Sequence, residues 1–242
     1  MIEVRGVTIG WGGVPLLVDL DFTVADGERF AILGGSGCGK STLLRHLIGL
    51  EQPMAGTITI DGAPIVMGDD QPPRAGVLFQ SAALFGSLTL IENVALPLRR
   101  WSELSREAIE ATALGRLRLV GLGGYENFLP SEVSGGMRKR AGIARALALE
   151  PKLLFLDEPS AGLDPITASG LDELLLTLNT DLGVTIVFVT HELQSIFDVA
   201  QRCIVLDRDA RGIVGEGDPN VLRETATHPI VRAFFHRVSK PL

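Results

Sequence analysis

Gly34 to Thr42 reads GGSGCGKST, and no other stretch of the chain restricts its fold as strongly. The segment lies between an apolar run, Arg29 to Leu33, and an amphipathic run, Leu43 to Ile48. That is the strand, loop and helix context of a phosphate cradle. Successive backbone N–H groups must turn inward around a polyphosphate, and Gly34, Gly35, Gly37 and Gly39 keep side chains out of the way, with Ser36, Cys38 and Thr42 completing the loop. Lys40 can then reach the β- and γ-phosphates, Ser41 can ligate Mg²⁺, and the start of the following helix adds a partial positive charge. The ligand implied is a nucleoside triphosphate. The loop alone does not say how the energy is used.

With 242 residues, 46% of them hydrophobic and 21% charged, the chain has enough apolar material for a real core. A formal net charge of -7 argues against a general nucleic-acid binder, so nucleic acid is not an expected partner. Ala75 to Ile91 carries no charge, but Gln80, Ser81, Ser87, Thr89 and two glycines interrupt it, and it does not read as a membrane span. Met1-Ile-Glu-Val-Arg5 begins at once with strand-like alternation and lacks the pattern of a signal peptide, so the chain is expected in the cytosol. Cys38 and Cys203 suit a reducing compartment and are read as free thiols, Cys38 as a small filler in the loop.

The region from Ile2 to Asp26 alternates like two antiparallel strands joined across Gly10 to Pro15, with Trp11 in the turn. Trp11 is either a half-buried core residue or a flat face for a nucleobase. Thr57 to Gly62 reads as a strand and turn, and Gly76 to Gln80 as a short strand whose last side chain is either an ordinary end residue or a ligand of Mg²⁺ or water. Leu88 to Leu119 is expected to be helical, broken by Pro97 and restarted at an N-cap, Ser105. Another helix is expected from Ser134, where Gly135 and Gly136 leave N–H groups open for a second anion site. Arg138, Lys139 and Arg140 on that helix read as a solvated face.

Leu153-Leu-Phe-Leu-Asp-Glu158 has the pattern of a buried parallel strand delivering two acids to its C-terminal edge. Asp157 suits the Mg²⁺ shell and Glu158 the attacking water; alternatively both acids only cap the next turn. Asp164-Pro165 is the expected start of a helix running to Leu182. Val184 to Thr190 is a further buried strand with His191 at its end, either structural or a γ-phosphate contact. Cys203 to Asp207 and Gly212 to Gly217 form a final pair of strands, and Val231 to Val238 a short helix.

In this order, these residues resemble the nucleotide-binding subunit of an ATP-binding-cassette (ABC) transporter, from Trp11 to about Gly217. The loop at Gly34 is similar to the Walker A motif, LLFLDE at Leu153 to Walker B, SAGLD at Ser160 to the D-loop, and THE at Thr190 to the switch histidine. Val133-Ser-Gly-Gly-Met137 resembles the LSGGQ signature at Ser134, Gly135 and Gly136, with Met137 replacing the glutamine. SGGM with the basic stretch after it, and Phe79 to Phe85 continuing to Pro97, are similar to the ATPases of MCE-type and Mla-type phospholipid transport systems. The resemblance implies an α/β fold: a P-loop NTPase core, a mainly parallel sheet flanked by helices, with an N-terminal antiparallel β subdomain and an inserted α-helical subdomain.

The implied organisation is one ABC ATPase domain over 1–242, with a core of 1–84 and 151–220, a helical subdomain of 85–150, and a short C-terminal helix and tail, 221–242. Residues 227–242 make a short tail beside the C-terminal extension that such proteins can carry across to a partner. The resemblance also implies ATP and Mg²⁺ as ligands, with Trp11 stacking on adenine, Lys40, Glu158 and His191 in catalysis, and Ser41, Gln80 and Asp157 on the metal. It further implies a head-to-tail dimer in which Ser134 to Gly136 close on the partner's ATP, with Asp164 at the interface. Integral membrane permease subunits and an MCE-domain lipid-binding protein are the expected partners, at the cytoplasmic face of the inner membrane.

Overall fold

The computed structural model describes residues 1–65 and 71–237. The chain forms two compact units, one of Met1–Asp69 with Thr185–Leu242 and one of Asp70–Val184. Within the first, strands β1 (Ile2–Trp11) and β2 (Val14–Val24) form a hairpin, followed by β3 (Arg29–Gly34), helix α1 (Lys40–Leu47), β4 (Ala55–Ile60) and β5 (Ala63–Pro64). The second contributes β6 (Gly76–Leu78), α2 (Leu90–Trp101), α3 (Arg106–Leu119), α4 (Gly135–Ala146), β7 (Leu153–Asp157) and α5 (Pro165–Leu182). The chain then returns to the first unit with β8 (Thr185–Val189), α6 (Leu193–Val199), β9 (Arg202–Asp207), β10 (Gly212–Gly217), α7 (Pro219–Thr225) and α8 (Pro229–His236).

Alternation decides the first sheet. Ile2, Val4, Val7 and Ile9 of β1 and Leu17, Leu20, Phe22 and Val24 of β2 are all buried, so one face of the hairpin joins the core. β1 pairs antiparallel with β2 and with β4, and β5 adds to β4. Trp11 is the last residue of β1, opposite Val14, rather than part of the turn, which Gly12 and Gly13 supply. In the other sheet, β3 pairs parallel with β8 and β9, and β10 pairs antiparallel with β9. Phe30 to Leu33 and Ile186 to Val189 are fully buried runs, as expected of parallel strands covered on both faces. α1 packs against β1, β3 and β8, burying Leu43, Leu44 and Leu47.

The short helices α6 and α7 are additions to the sequence reading. α8 corresponds to the expected C-terminal helix but begins at Pro229; Val238 and the tail to Leu242 lie outside the described residues. Phe235 fixes α8 by burial beside Phe197 and edge-on to Phe234.

In the second unit β6 and β7 are parallel neighbours. Gly76 lies so close to the end of α4 that an added Cβ would fall 2.3 Å from the Ala146 carbonyl oxygen. α2 begins with a capping box, Thr89 and Glu92 each satisfying the other's backbone. It does not break at Pro97, contrary to expectation: the helix runs through the proline to Trp101. Its buried face of Leu90, Val94, Ala95 and Leu98, packed near α3 and α4, offsets the one backbone hydrogen bond that proline removes. Ser105 caps α3 as expected, accepting from Ala108 N. Among the described residues no helix is long and apolar enough to cross a membrane.

Asn93, completely buried on α2, organises the loop that leads into it. Its Oδ1 accepts from Phe85 N at 2.8 Å, and its Nδ2 donates toward the carbonyls of Phe85, Leu88 and Thr89 at 3.0–3.1 Å. Substituting Asn93→Ala strands several partly buried backbone groups and leaves a small cavity, which is expected to cost about 2 kcal/mol of stability. Denaturant unfolding of the variant checks this, and a midpoint equal to the parent's would contradict it.

Candidate functional site

In the first unit the phosphate loop runs from the end of β3 into α1. Gly34 has φ of 146°, and a Cβ there would fall 2.5 Å from the Leu206 carbonyl oxygen and 2.6 Å from Cys38 Sγ. Gly39, with φ of 107°, is the N-cap of α1 and offers no side chain to its first turn, so that turn's N–H groups are left to other partners. Lys40 Nζ donates to the Gly34 and Gly35 carbonyls at 2.9 and 3.0 Å. Gly37, Gly39, Lys40, Ser41 and Thr42 line a 360 Å³ cleft together with Trp11, Leu16 and Arg208.

Trp11 is 53% exposed, so it is not the half-buried core residue that its type first suggests. Its ring and Leu16 give the cleft an apolar wall next to a floor of backbone amides, a combination suited to a nucleoside with attached phosphates. Cys38 is buried, and burial pushes its thiol up, only partly opposed by the Lys40 ammonium. Cys203 is also buried and is pushed up to about 12. His191 follows β8 and Thr190; its imidazole is more than half exposed and lies 3.4 Å from the Glu192 carboxylate.

Arg208 escaped the sequence reading. It sits in the β9–β10 turn, where the Asp207 carboxylate accepts from Asp209 N and Ala210 N at 3.0 Å, and where the Arg211 carbonyl accepts from Val18 N at 2.8 Å. The turn is therefore tied to β2 and aimed at the cleft. The available signal was an Asp-Arg-Asp sequence directly after an apolar strand, a turn with its own side-chain acceptor.

In the second unit Gln80 lies just beyond β6 and is exposed. Ser134 caps α4, its Oγ accepting from Met137 N at 3.2 Å. Gly136 is buried, and a Cβ there would fall 2.3 Å from Thr167 Cγ2, so the start of α4 is seated on the first turn of α5. Asp164 caps α5 through Ile166 N and Thr167 N, both 3.1 Å, and takes the Thr167 hydroxyl at 2.5 Å. These bonds hold its carboxyl below the usual range, the Thr167 hydroxyl contributing most.

Asp157 ends β7, and Glu158 follows with only 9% exposure and a left-handed φ of 48°. The basic cluster is not a solvated face. Lys139 is buried and its Nζ donates to the Glu158 carbonyl at 2.7 Å. Arg138 donates to the Val133 carbonyl at 2.7 Å, and Arg140 to the Val120 and Gly170 carbonyls at 3.1 and 2.6 Å. Successive helical residues turn by about 100°, so three in a row cannot share one face. Burial lowers the Lys139 pKa, while Asp157 and Glu158 act in the opposite direction.

Residues 17–161 match the family model described as ABC transporter. The chain is 40% identical over 240 residues to the "Probable ribonucleotide transport ATP-binding protein mkl" of Mycobacterium tuberculosis, covering 97% of this chain and 66% of that protein. It thus spans just under two thirds of the length of that relative. It is 39% identical over 244 residues to the "Methionine import ATP-binding protein MetN" of Burkholderia thailandensis, covering 97% and 70%.

Among solved structures, the dimeric ATP-binding cassette MJ0796 in a post-hydrolysis state with ADP and Pi superposes with a TM-score of 0.80 at 32% identity, covering 90% of this chain and 98% of that one. The cbiO1 subunit from Clostridium perfringens gives 0.81 at 28% identity, covering 92% and 90%. Parallel strands flanked by helices, a separate antiparallel sheet and these likenesses agree with the α/β P-loop NTPase architecture. The family match extends over more than half of the residues and includes the phosphate loop, the α4 cap and the paired acids, so the chain belongs to the ABC transporter family.

Proposed function

We propose that this chain is the ATP-binding and ATP-hydrolysing subunit of an ABC transporter, acting as one ATPase domain. The observation that carries the reading is the cleft in which the glycine loop, Lys40, Ser41 and the exposed Trp11 meet. Its fit to a nucleotide is physical: Gly34 and Gly39 adopt positive φ angles that a side chain would strain, and a Cβ at Gly34 would strike Leu206, so the loop backbone is left uncovered for phosphate. When a triphosphate enters, Lys40 exchanges the Gly34 and Gly35 carbonyls for phosphate oxygens, while Trp11 stacks on the base. The amides of Gly35, Ser36, Gly37, Cys38, Gly39 and Thr42 surround the phosphates.

The Ser41 hydroxyl, Gln80 amide oxygen and Asp157 carboxylate are hard oxygen donors of the type Mg²⁺ prefers. The ion, when bound, neutralises charge on the phosphoryl oxygens. Glu158 orients and deprotonates the attacking water, and His191 positions the γ-phosphate and that water. Two copies pair head to tail, with Ser134 to Gly136 of each closing on the other's ATP and Asp164 at the interface. The Gly135 and Gly136 amides at the start of α4, which the Ser134 hydroxyl does not take, support this role, and the MJ0796 cassette is described as a dimer.

The finer reading is that the cargo is phospholipid or another lipid, moved with permease subunits and an MCE-domain protein at the cytoplasmic face of the inner membrane. It is supported by the SGGM variant of the signature and the Phe79 to Phe85 segment. A second reading, an importer of a small solute such as an amino acid or a metal complex, is favoured by the 39% identity to a protein named for methionine import. Affinity purification of the chain with its membrane partners separates them: an MCE protein with the permease supports lipid, and a soluble binding protein supports the importer.

Glu158→Gln is expected to retain ATP binding, accumulate a closed dimer and lower turnover by about a hundredfold or more. Near-normal phosphate release by that variant would sink the assignment of the base. Arg208→Ala is expected to weaken ATP binding roughly three- to tenfold, the scale of a partly exposed charged contact, with the maximal rate maintained. A titration with a fluorescent ATP analogue measures this, and unchanged affinity would remove Arg208 from the site.

A further inference from the structure

We propose that Lys139 is a positioning residue for ATP hydrolysis: it grips the backbone of Glu158 and thereby aims that residue's carboxylate. The inference rests on the reading of Glu158 as the base. The two arginines beside Lys139 have ordinary structural work, Arg138 donating to the Val133 carbonyl and Arg140 to those of Val120 and of Gly170 on α5. Lys139 differs from both in being 5% exposed and in reaching the backbone oxygen of Glu158, the second residue of the acid pair.

Glu158 is in the left-handed backbone region, which non-glycine residues rarely occupy, and it directly precedes Pro159, whose ring restricts it further. Such a conformation persists only where the surroundings over-determine it. The Glu158 carbonyl oxygen has two donors that do so: Lys139 Nζ at 2.7 Å and Ala161 N at 3.3 Å. The second is local to the turn. The first comes from the middle of α4, a helix already fixed at its start by Ser134 and seated through Gly136 on Thr167.

A left-handed residue points its side chain in a direction that an extended one cannot, so the carbonyl contact and the direction of the carboxylate are one geometric fact. A long cation suits this task. Its ammonium reaches a carbonyl that a shorter side chain on α4 would miss, and Asp157 and Glu158 act against the burial that disfavours its charge.

The test uses the whole 242-residue chain with Lys139→Met and Lys139→Arg, measuring kcat, KM, nucleotide affinity and thermal midpoint. Lys139→Met is expected to lower kcat about tenfold or more with KM and affinity within about twofold, because misdirecting the base leaves nucleotide binding intact. Lys139→Arg, which keeps a cationic donor, is expected to recover most of the rate. In a Glu158→Gln background Lys139→Met should reduce single-turnover hydrolysis no further, since there is no base left to aim.

A normal kcat for Lys139→Met, a loss confined to KM, or a further multiplicative loss in the Glu158→Gln background would overturn the proposal. Should the methionine variant fail to fold, Lys139→Gln, a shorter neutral donor, takes its place: a reduced kcat with unchanged affinity supports the idea and a parental kcat overturns it. Normal turnover by Glu158→Gln alone would remove the base assignment, and the proposal with it, independently of any result at Lys139.

Discussion

The backbone of Gly34 passes so close to the Leu206 carbonyl that no side chain can stand between them, and the organisation of the first unit follows from that contact. β3 and β9 must run parallel and in register for the approach to occur, which they do from Phe30 opposite Arg202 to Gly34 opposite Leu206. The next residue, Asp207, then closes its turn at the level of the phosphate loop, bringing Arg208 to the cleft. Buried apolar strands supply the rigidity, and the loop with its amides is the part left open. Any residue larger than glycine at position 34 would push the loop away from β9 and distort the cradle.

The second unit has a comparable organiser in α4. Ser134 at its start caps the first turn, Lys139 at its middle reaches Glu158 just after β7, and Arg145 near its end donates to the carbonyls of Ala82 and Ala83 at 2.9 and 2.7 Å. Ala82 and Ala83 are themselves left-handed, so α4 holds two strained stretches, one just after Gln80 and one at Glu158. Gly142, one turn earlier on the same face, makes this possible: a Cβ there would fall 2.6 Å from Leu78 Cδ1 of β6 and 3.3 Å from the Ala82 Cβ. A helix with so many obligations cannot shift by a fraction of a turn without disturbing several of them.

Features governed by local chemistry were legible in the sequence. Ser105, Ser134 and Asp164 cap the helices their positions indicate, and the alternation in β1 and the apolar runs of β3, β7 and β8 identify buried strands. Features decided by packing were not. Pro97 carries a local penalty that the buried face of α2 outweighs, and that face depends on neighbours far away in the chain. Lys139 and its flanking arginines look alike as letters, yet the rotation of the helix sends each to a different destination. Arg208 needed the pairing of β9 with β3 before its turn could be located. Helices α6 and α7 are each seven residues, too short for a clear periodic signal.

The burial of both cysteines has a practical side. Cys38 is 2% exposed and Cys203 fully enclosed, and both thiols are held toward the protonated, unreactive form. Alkylating dyes require an accessible thiolate, so the native protein is expected to react with them slowly at both cysteines. A single surface cysteine introduced at a chosen site would carry a spectroscopic label with both native cysteines left in place, including the one inside the phosphate loop.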